Sequence, residues 1–131
     1  MKSIAVVIAV LAMSAAPAFA ACDLTTADAA KGEKKFALCK ACHTVVEKVN
    51  KVGPHLDGII DRPAASIADF VYSDAMKAFG ATGAKWDFAT LDTYLTKPKV
   101  LVPNTKMVFA GFAKEEDRCN MIKFLQGKPA L

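Results

Sequence analysis

Apolar residues recur at helical spacing in four stretches of the chain, each bounded by residues that start or stop helices. No stretch alternates apolar and polar residues as a half-buried strand would, so the pattern predicts an all-α chain. A further short turn of helix is expected from Ser66 to Phe70. The four predicted helices run from a cap at Thr25-Thr26 through Ala37, from a cap at Ser73 through Phe79 to Gly80, from Trp86-Asp87 through Leu95 to Pro98, and from Lys114 through Leu125 to Gly127.

Long irregular segments separate these helices, and Gly53-Pro54, Asp57-Gly58 and Arg62-Pro63 interrupt the longest of them. No repeat, low-complexity segment or linker divides the chain, so its length predicts one domain. A compact domain with this much irregular backbone usually wraps something.

The first twenty residues have a separate pattern. Lys2 is followed by an apolar run from Ile4 to Ala16, and Ala18-Phe19-Ala20 ends the segment. A basic start, a short apolar core and small residues at the end predict a secretory signal peptide over residues 1–20, cut after Ala20. Residues 21–131 are then the mature domain, in the periplasm. The alternative, an uncleaved membrane anchor, is disfavoured because the run is short and Pro17 interrupts it.

The net charge is +4, and loss of the leader removes only Lys2. This charge is small for a nucleic-acid-binding protein, and no basic run or aromatic-interleaved stripe predicts one. A weak positive bias suits transient docking to acidic partner proteins.

Cys39, Cys42 and His43 form a C-x-x-C-H motif, called the haem motif below. Outside the cytoplasm this motif is typical of covalent haem c attachment. Two thiols three residues apart lie on one face of a helical turn, where they can add to the two vinyl groups of one haem. His43 can then bind the iron as an axial ligand.

Two alternatives use the same cysteines. A thioredoxin-like dithiol needs a preceding strand in a βαβ unit, which the pattern does not predict. A zinc site needs two more ligands, and His55 with Cys22 or Cys119 could supply them only without paired spacing. Haem attachment is therefore the prediction.

The mature chain offers three methionines and His55 as a second axial ligand. Met121 lies on the apolar side of the last helix and Met76 in a short helix, so core packing explains both. Met107 ends a polar, proline-started loop that has no helical stripe. The pattern favours Met107 and leaves the other candidates open.

The order of these segments resembles the mitochondrial-type class I cytochromes c, which occur in bacteria as small periplasmic electron carriers. The resemblance covers the chain from about Gly32 to Leu125, and the haem motif is its most specific part. The other segments that carry it are Gly32–Phe36, Gly53–Gly58, Tyr72–Ala75, Trp86, Leu91, Tyr94, Lys97–Lys99, Pro103–Met107 and Phe109–Gly111.

The resemblance implies a small single-domain all-α fold whose helices wrap around one haem c, attached through Cys39 and Cys42. It also implies that Met107 is the second axial ligand, opposite His43. The carbonyl of Pro54 is expected to accept the ring N–H of His43, which fixes its tautomer.

Further residues receive roles from the resemblance. Tyr72 and Trp86 are expected to hydrogen-bond a haem propionate, with Arg62 nearby as a cation. Tyr94 and Thr105 are expected on the Met107 side, near its sulfur and the propionate respectively. Close crossing of the first and last helices is expected at Gly32, with Phe36 against Phe124.

The sequence departs from the family at three positions. Asp61 and Ala65, on either side of Arg62, stand where the family usually has glycine. Met76 stands where many relatives carry a polar asparagine. An apolar group there is expected to change the polar network near the haem and its reduction potential.

Ligation by His43 and Met107 leaves no open site on the iron, which favours electron transfer and predicts no enzymatic activity. The alternative is a haem peroxidase or gas-binding sensor with a labile methionine, and a subunit of a larger redox complex is a third possibility. As an electron carrier, the chain is expected to act as a monomer between a cytochrome bc-type complex and a terminal oxidase or reaction centre. The residues expected to form the docking ring are Lys40, Lys51, Lys97, Lys99 and Lys106.

Cys22 and Cys119 remain as an unassigned pair in an oxidising compartment. Cys22 precedes the first helix and Cys119 lies early in the last, and these helices are expected to cross. A disulfide would therefore tie the two ends together. Free thiols, or a lipid on Cys22, are the alternatives.

Overall fold

The computed structural model describes residues 22–128, which form five helices. Within this range the chain has no strand beyond an isolated bridge between Pro63 and Lys85, so the all-α prediction is confirmed. No helix between residues 22 and 128 is long and apolar enough to cross a membrane. The predicted leader lies outside the described residues. The helices are α1 (Ala29–Phe36), α2 (Asp74–Ala81), α3 (Phe88–Thr96), α4 (Pro98–Leu101) and α5 (Glu115–Gln126).

The cap of α1 is Asp28, so the predicted cap at Thr25-Thr26 is wrong. The Asp28 carboxylate accepts from the N–H groups of Ala30 at 2.8 Å and Lys31 at 3.2 Å. Thr25 is unavailable because its N–H and hydroxyl both donate to the carboxylate of Asp23. A carboxylate also suits the positive end of the helix dipole.

One predicted helix end and one predicted turn need correction, and one short helix was not predicted. Pro98 follows the end of α3, as the sequence predicts, and it also begins α4, because a first-turn residue needs no N–H. α2 continues through Gly80 to Ala81. The segment from Ser66 to Phe70 is a turn rather than a helix, and the Phe70 N–H reaches the Ile67 carbonyl at 3.3 Å.

α1 and α5 cross closely, as expected from Gly32. A Cβ on Gly32 would overlap the carbonyl of Asn120, so only glycine allows this approach. The Phe36 and Phe124 rings pack with centroids 5.4 Å apart. The crossing fixes the end of α1, from which the haem motif continues directly.

The buried core includes side chains of α1, α3 and α5, and Trp86 links it to the irregular segment. Trp86 packs against Tyr94 of α3 with centroids 4.9 Å apart and against Phe79 of α2 at 5.6 Å. Met121 of α5 is 1% exposed, which agrees with core packing rather than a role as ligand.

The turn around Arg62 keeps a glycine-type backbone without glycine. Asp61 and Ala65 have φ of 59° and 57°, in the left-handed region. Each costs about 1–2 kcal/mol relative to a right-handed residue. Backbone hydrogen bonds from Asp61 to Trp86, from Trp86 to Arg62 and from Ala64 to Ala84 offset this strain.

Cys22 and Cys119 form a disulfide across 97 residues of chain. This confirms the pairing expected from the cysteine count and leaves no thiol at either position. Cys39 and Cys42 are free. The bond ties the segment before α1 to α5, beside the α1–α5 crossing.

Removing this disulfide is expected to destabilise the protein strongly. Replacement of Cys22 and Cys119 by alanine frees a 97-residue loop in the unfolded chain. The free energy of unfolding should fall by about 2–5 kcal/mol, measured by denaturant titration. A thiol reductant should cause the same loss in the wild type and none in the double variant. Equal stability of the wild type and the variant would contradict the role assigned to the bond.

Candidate haem-binding site

The haem motif forms the turns that directly follow α1. The N–H of Cys39 donates to the Phe36 carbonyl at 2.8 Å, and those of Cys42 and His43 donate to the Cys39 carbonyl at 3.0 and 2.9 Å. Both thiols therefore belong to one helical turn. Burial, and secondly the neighbouring Cys42, raise the pKa of the Cys39 thiol to about 11, so it remains protonated at neutral pH.

His43 is held in one tautomer by Pro54. Its Nδ1 lies 2.7 Å from the Pro54 carbonyl oxygen, which can only accept a hydrogen bond. Nδ1 therefore carries the proton, and the lone pair is on Nε2, the atom that would bind iron. Burial lowers the pKa of His43, which favours the neutral ring that a metal requires.

Gly53 makes room for the His43 ring, a role that sequence reasoning missed. A Cβ on Gly53 would lie 2.8 Å from Nδ1 and 2.9 Å from Nε2 of His43, closer than side chains tolerate. The Gly53 N–H also donates to the Cys42 carbonyl at 2.9 Å. The only signal in the sequence was a glycine directly before Pro54, and that dipeptide predicts a turn just as well.

Met107 lies in the irregular segment that follows α4. The loop from residue 97 to residue 110, which includes α4, is called the Met107 loop below. The Tyr94 hydroxyl lies 3.9 Å from the Met107 sulfur, and the Thr105 hydroxyl accepts from the Met107 N–H at 3.3 Å. Tyr94 and Thr105 are themselves 3.4 Å apart. Burial raises the pKa of Tyr94, so its hydroxyl stays a donor.

Among the residues expected near a propionate, Arg62 has contacts that the sequence did not predict. Its guanidinium donates to the carbonyls of His55 at 2.9 Å and Asp57 at 3.0 Å. These bonds hold the backbone that follows Pro54. The half-buried Tyr72 hydroxyl accepts from the Ile67 N–H at 3.3 Å, and the Trp86 ring is buried.

His55 is 7% exposed, and its Nδ1 has no hydrogen-bond partner among residues 22–128. Burial, followed by the charge of Arg62, lowers the pKa of His55. The zinc alternative fails because Cys22 and Cys119 are bonded to each other. In the described part of the chain, no three metal-binding side chains lie together. The thioredoxin-like alternative fails for lack of a strand in that part.

The residues present fit a haem c. The donor set is two free thiols on one turn, an imidazole with Nε2 available, and a thioether beside a tyrosine hydroxyl. Half-buried apolar side chains from α2 and from the loops that carry Pro54 and Met107 lie against the core, which is the lining a flat apolar cofactor needs. They are Leu56, Ile60, Met76 and Phe109.

The chain is similar to known proteins in sequence and in fold. The chain is 44% identical to cytochrome c2 of Agrobacterium tumefaciens over 108 residues, which cover 79% of this chain and 97% of that protein. It is 46% identical to cytochrome c2 of Rhodomicrobium vannielii, over 86% of this chain and 89% of the relative. The chain belongs to the class I cytochromes c. Cytochrome cH from Methylobacterium extorquens has a similar structure, with a TM-score of 0.70, 46% identity, and coverage of 77% of this cytochrome and 99% of that one. No family model matches the chain.

Membership settles the broad function. The cytochrome is an electron carrier and not an enzyme, carries covalent haem c, and exchanges electrons with other redox proteins. The peroxidase alternative is therefore set aside.

The lowered pKa of His55 predicts a specific loss of stability in acid. Between pH 6.5, the ordinary pKa of histidine, and the lower pKa of His55 in the folded chain, His55 is protonated in the unfolded chain and neutral in the folded one. Stability should therefore fall as the pH drops from 6.5 toward the folded pKa, by at most about 1.4 kcal/mol per pH unit.

The His55→Asn variant, which cannot titrate there, isolates this effect. Unfolding free energies of the two proteins, measured from about pH 7 to about pH 5, should converge as the pH falls if the wild type is the more stable at neutral pH, or diverge if it is the less stable. Other groups titrate equally in both proteins. A constant difference between the two curves would show that His55 is not held neutral.

Proposed function

We propose that this cytochrome carries single electrons between respiratory or photosynthetic complexes in the periplasm, with its iron held between His43 and Met107. The haem would be attached through Cys39 and Cys42. When bound, haem c supplies an iron that exchanges one electron between the ferrous and ferric states. The observation that carries the proposal is the His43–Pro54 hydrogen bond, because it leaves Nε2 as the only ring atom able to bind metal.

Met107 is the best of the remaining ligand candidates. Met121 is buried in the core and His55 has its Nδ1 enclosed. The Met107 sulfur is half-buried and lies beside a tyrosine hydroxyl. A thioether there would favour the ferrous state, and with His43 it would leave no coordination site for oxygen or peroxide.

Three further side chains would hold the haem propionates. Tyr72 has a hydroxyl proton that no protein acceptor among residues 22–128 receives, and Trp86 has an indole N–H. Arg62 contributes a half-buried positive charge. Two neutral donors and a cation would stabilise a propionate that is partly removed from water.

Met107→Ala is expected to open the sixth coordination site. The ferric wild type should show the weak near-infrared sulfur-to-iron band, and the ferrous wild type should ignore carbon monoxide. In Met107→Ala the band should vanish and carbon monoxide should bind, because no thioether competes for the iron.

Met76→Ala is the matched control, since Met76 is also a half-buried methionine packed against the core. It should keep the band and keep carbon monoxide out. Loss of the band in Met76→Ala but not in Met107→Ala would show that Met76, and not Met107, binds the iron. A wild type that binds carbon monoxide readily would favour the sensor alternative.

The docking surface is proposed to be the lysine ring, Lys40, Lys51, Lys97, Lys99 and Lys106, with a cytochrome bc-type complex as donor and a terminal oxidase or reaction centre as acceptor. All five lysines are exposed, and none forms an ion pair among residues 22–128. By contrast, Lys31 and Lys35 are paired with acidic residues of α5. The ring charges are thus available to steer an acidic partner.

Charge reversal in the ring should slow electron transfer. In Lys97→Glu/Lys99→Glu, the second-order rate with an isolated bc-type complex should fall about tenfold or more at low ionic strength. The deficit should shrink at high salt, where exposed charges are screened. Lys34→Glu, on the exposed side of α1, is the control and should slow the rate far less for each unit of charge changed. Equal slowing per unit of charge in both variants would show that only net charge matters.

Periplasmic location is proposed from the leader pattern, and the Cys22–Cys119 disulfide supports it because such bonds persist in oxidising compartments. N-terminal sequencing of the mature protein should give a chain that starts at Ala21. A chain that retains residues 1–20 would instead indicate a membrane anchor.

A further inference from the structure

Arg118 of α5 and Asp92 of α3 form the most enclosed ion pair in the described part of the chain. Arg118 Nε lies 2.6 Å from Asp92 Oδ1, and the side chains are 11% and 19% exposed. The Lys31–Glu116 pair, by comparison, is mostly in water. An exposed pair contributes little, whereas breaking an enclosed one leaves a charge without compensation.

Arg118 also binds the backbone where the Met107 loop ends. Its Nη1 donates to the carbonyls of Phe112 at 3.0 Å and Ala113 at 3.4 Å. One guanidinium thus holds a carboxylate on α3 and two carbonyls that follow the loop. Lysine could not do this, because its single ammonium lacks the planar fork of donors.

The same place is the base of the Met107 loop. The chain leaves α3 after Thr96 and returns at Gly111, whose Cβ, if it had one, would overlap the Thr96 carbonyl. The Phe112 N–H donates to the Leu95 carbonyl at 2.7 Å. The two ends of the loop therefore meet on the last turn of α3, and Arg118 closes that junction from α5.

Asp92 connects the junction to the surroundings of the Met107 sulfur. It lies on α3 two residues before Tyr94, whose hydroxyl is 3.9 Å from that sulfur. The ion pair thus joins the helix that carries Tyr94 to the end of the loop that carries Met107.

We propose that Asp92 and Arg118 are positioning residues that hold the Met107 loop closed, and thereby hold Met107 as a ligand of the iron. This inference rests on the ligation proposed above. With the junction loosened, the loop moves away from α3 and Met107 leaves the iron before the rest of the protein unfolds. A pair that merely ties α3 to α5 would instead lower the stability of the whole protein and of the ligand bond together.

The test unfolds the haem-loaded protein in guanidinium and compares the midpoint concentrations of two transitions, loss of the sulfur–iron bond and unfolding of the core. The near-infrared band reports the sulfur–iron bond, and Trp86 fluorescence reports the core. Asp92→Asn keeps the side-chain volume and removes the charge, and Arg118→Lys keeps the charge and removes the fork. Asp117→Asn is the matched control, because it makes the same change and breaks the Lys35–Asp117 pair, which joins α5 to α1 rather than to α3.

In Asp92→Asn and Arg118→Lys, the band should disappear at a lower guanidinium concentration relative to the fluorescence change than in the wild type. Carbon monoxide affinity of the ferrous form should rise about tenfold. In Asp117→Asn the two midpoints should move together and the affinity should stay at the wild-type value.

If the gap between midpoints is the same in all four proteins, the pair is a structural tie only and the proposal is wrong. Asp92→Asn decides this even if Arg118→Lys fails to fold, because it is the milder change. A wild type without the band would overturn the proposed ligation itself, which distinguishes the two failures.

Discussion

The close crossing of α1 over α5 is the contact on which the site depends. It needs Gly32 under the Asn120 carbonyl, and the packing of Phe36 on Phe124 and the Cys22–Cys119 disulfide reinforce it. Because the haem motif follows α1 without a linker, the crossing fixes where both thiols and His43 start. A small domain with long loops has few other helix contacts with which to do so.

The two proposed iron ligands are positioned in the same way. Each lies against a polar group, and an arginine holds the backbone nearby. His43 is oriented by the Pro54 carbonyl, and Arg62 then holds the two carbonyls at residues 55 and 57. Met107 lies beside Tyr94, and Arg118 holds the carbonyls at residues 112 and 113, after its loop. Irregular backbone has no helix ladder to hold its carbonyls, so a planar set of guanidinium donors stabilises it efficiently. Side chains held in advance of metal binding lose less entropy and bind more strongly.

The parts of this protein that local sequence predicts are those decided by local chemistry. Ser73 and Asp87 cap α2 and α3 through their own side chains, and the haem motif depends on spacing alone. The parts that were missed depend on partners distant in sequence. Thr25 does not cap α1 because its N–H and hydroxyl donate to the Asp23 carboxylate. Gly53 is required only because the His43 ring lies against it. Arg118 looks like an ordinary helix-surface residue until Asp92 and the carbonyl at residue 112 are placed beside it. Family resemblance, rather than pattern, placed Tyr94 and Thr105 on the Met107 side, and the contacts around Met107 agree with that placement. The propionate role of Thr105 stays a prediction.

We propose that this fold brings one particular thioether, that of Met107, to an iron that His43 would also bind. Proton NMR of the ferrous protein tests it most directly, because the haem ring current displaces the methyl signal of a bound methionine far outside the protein envelope. The mature chain has three methionines, at positions 76, 107 and 121, and single substitutions assign the displaced signal. We expect one such methyl signal, lost only when Met107 is replaced. A displaced signal that survives replacement of Met107, or a spectrum without one, would contradict it.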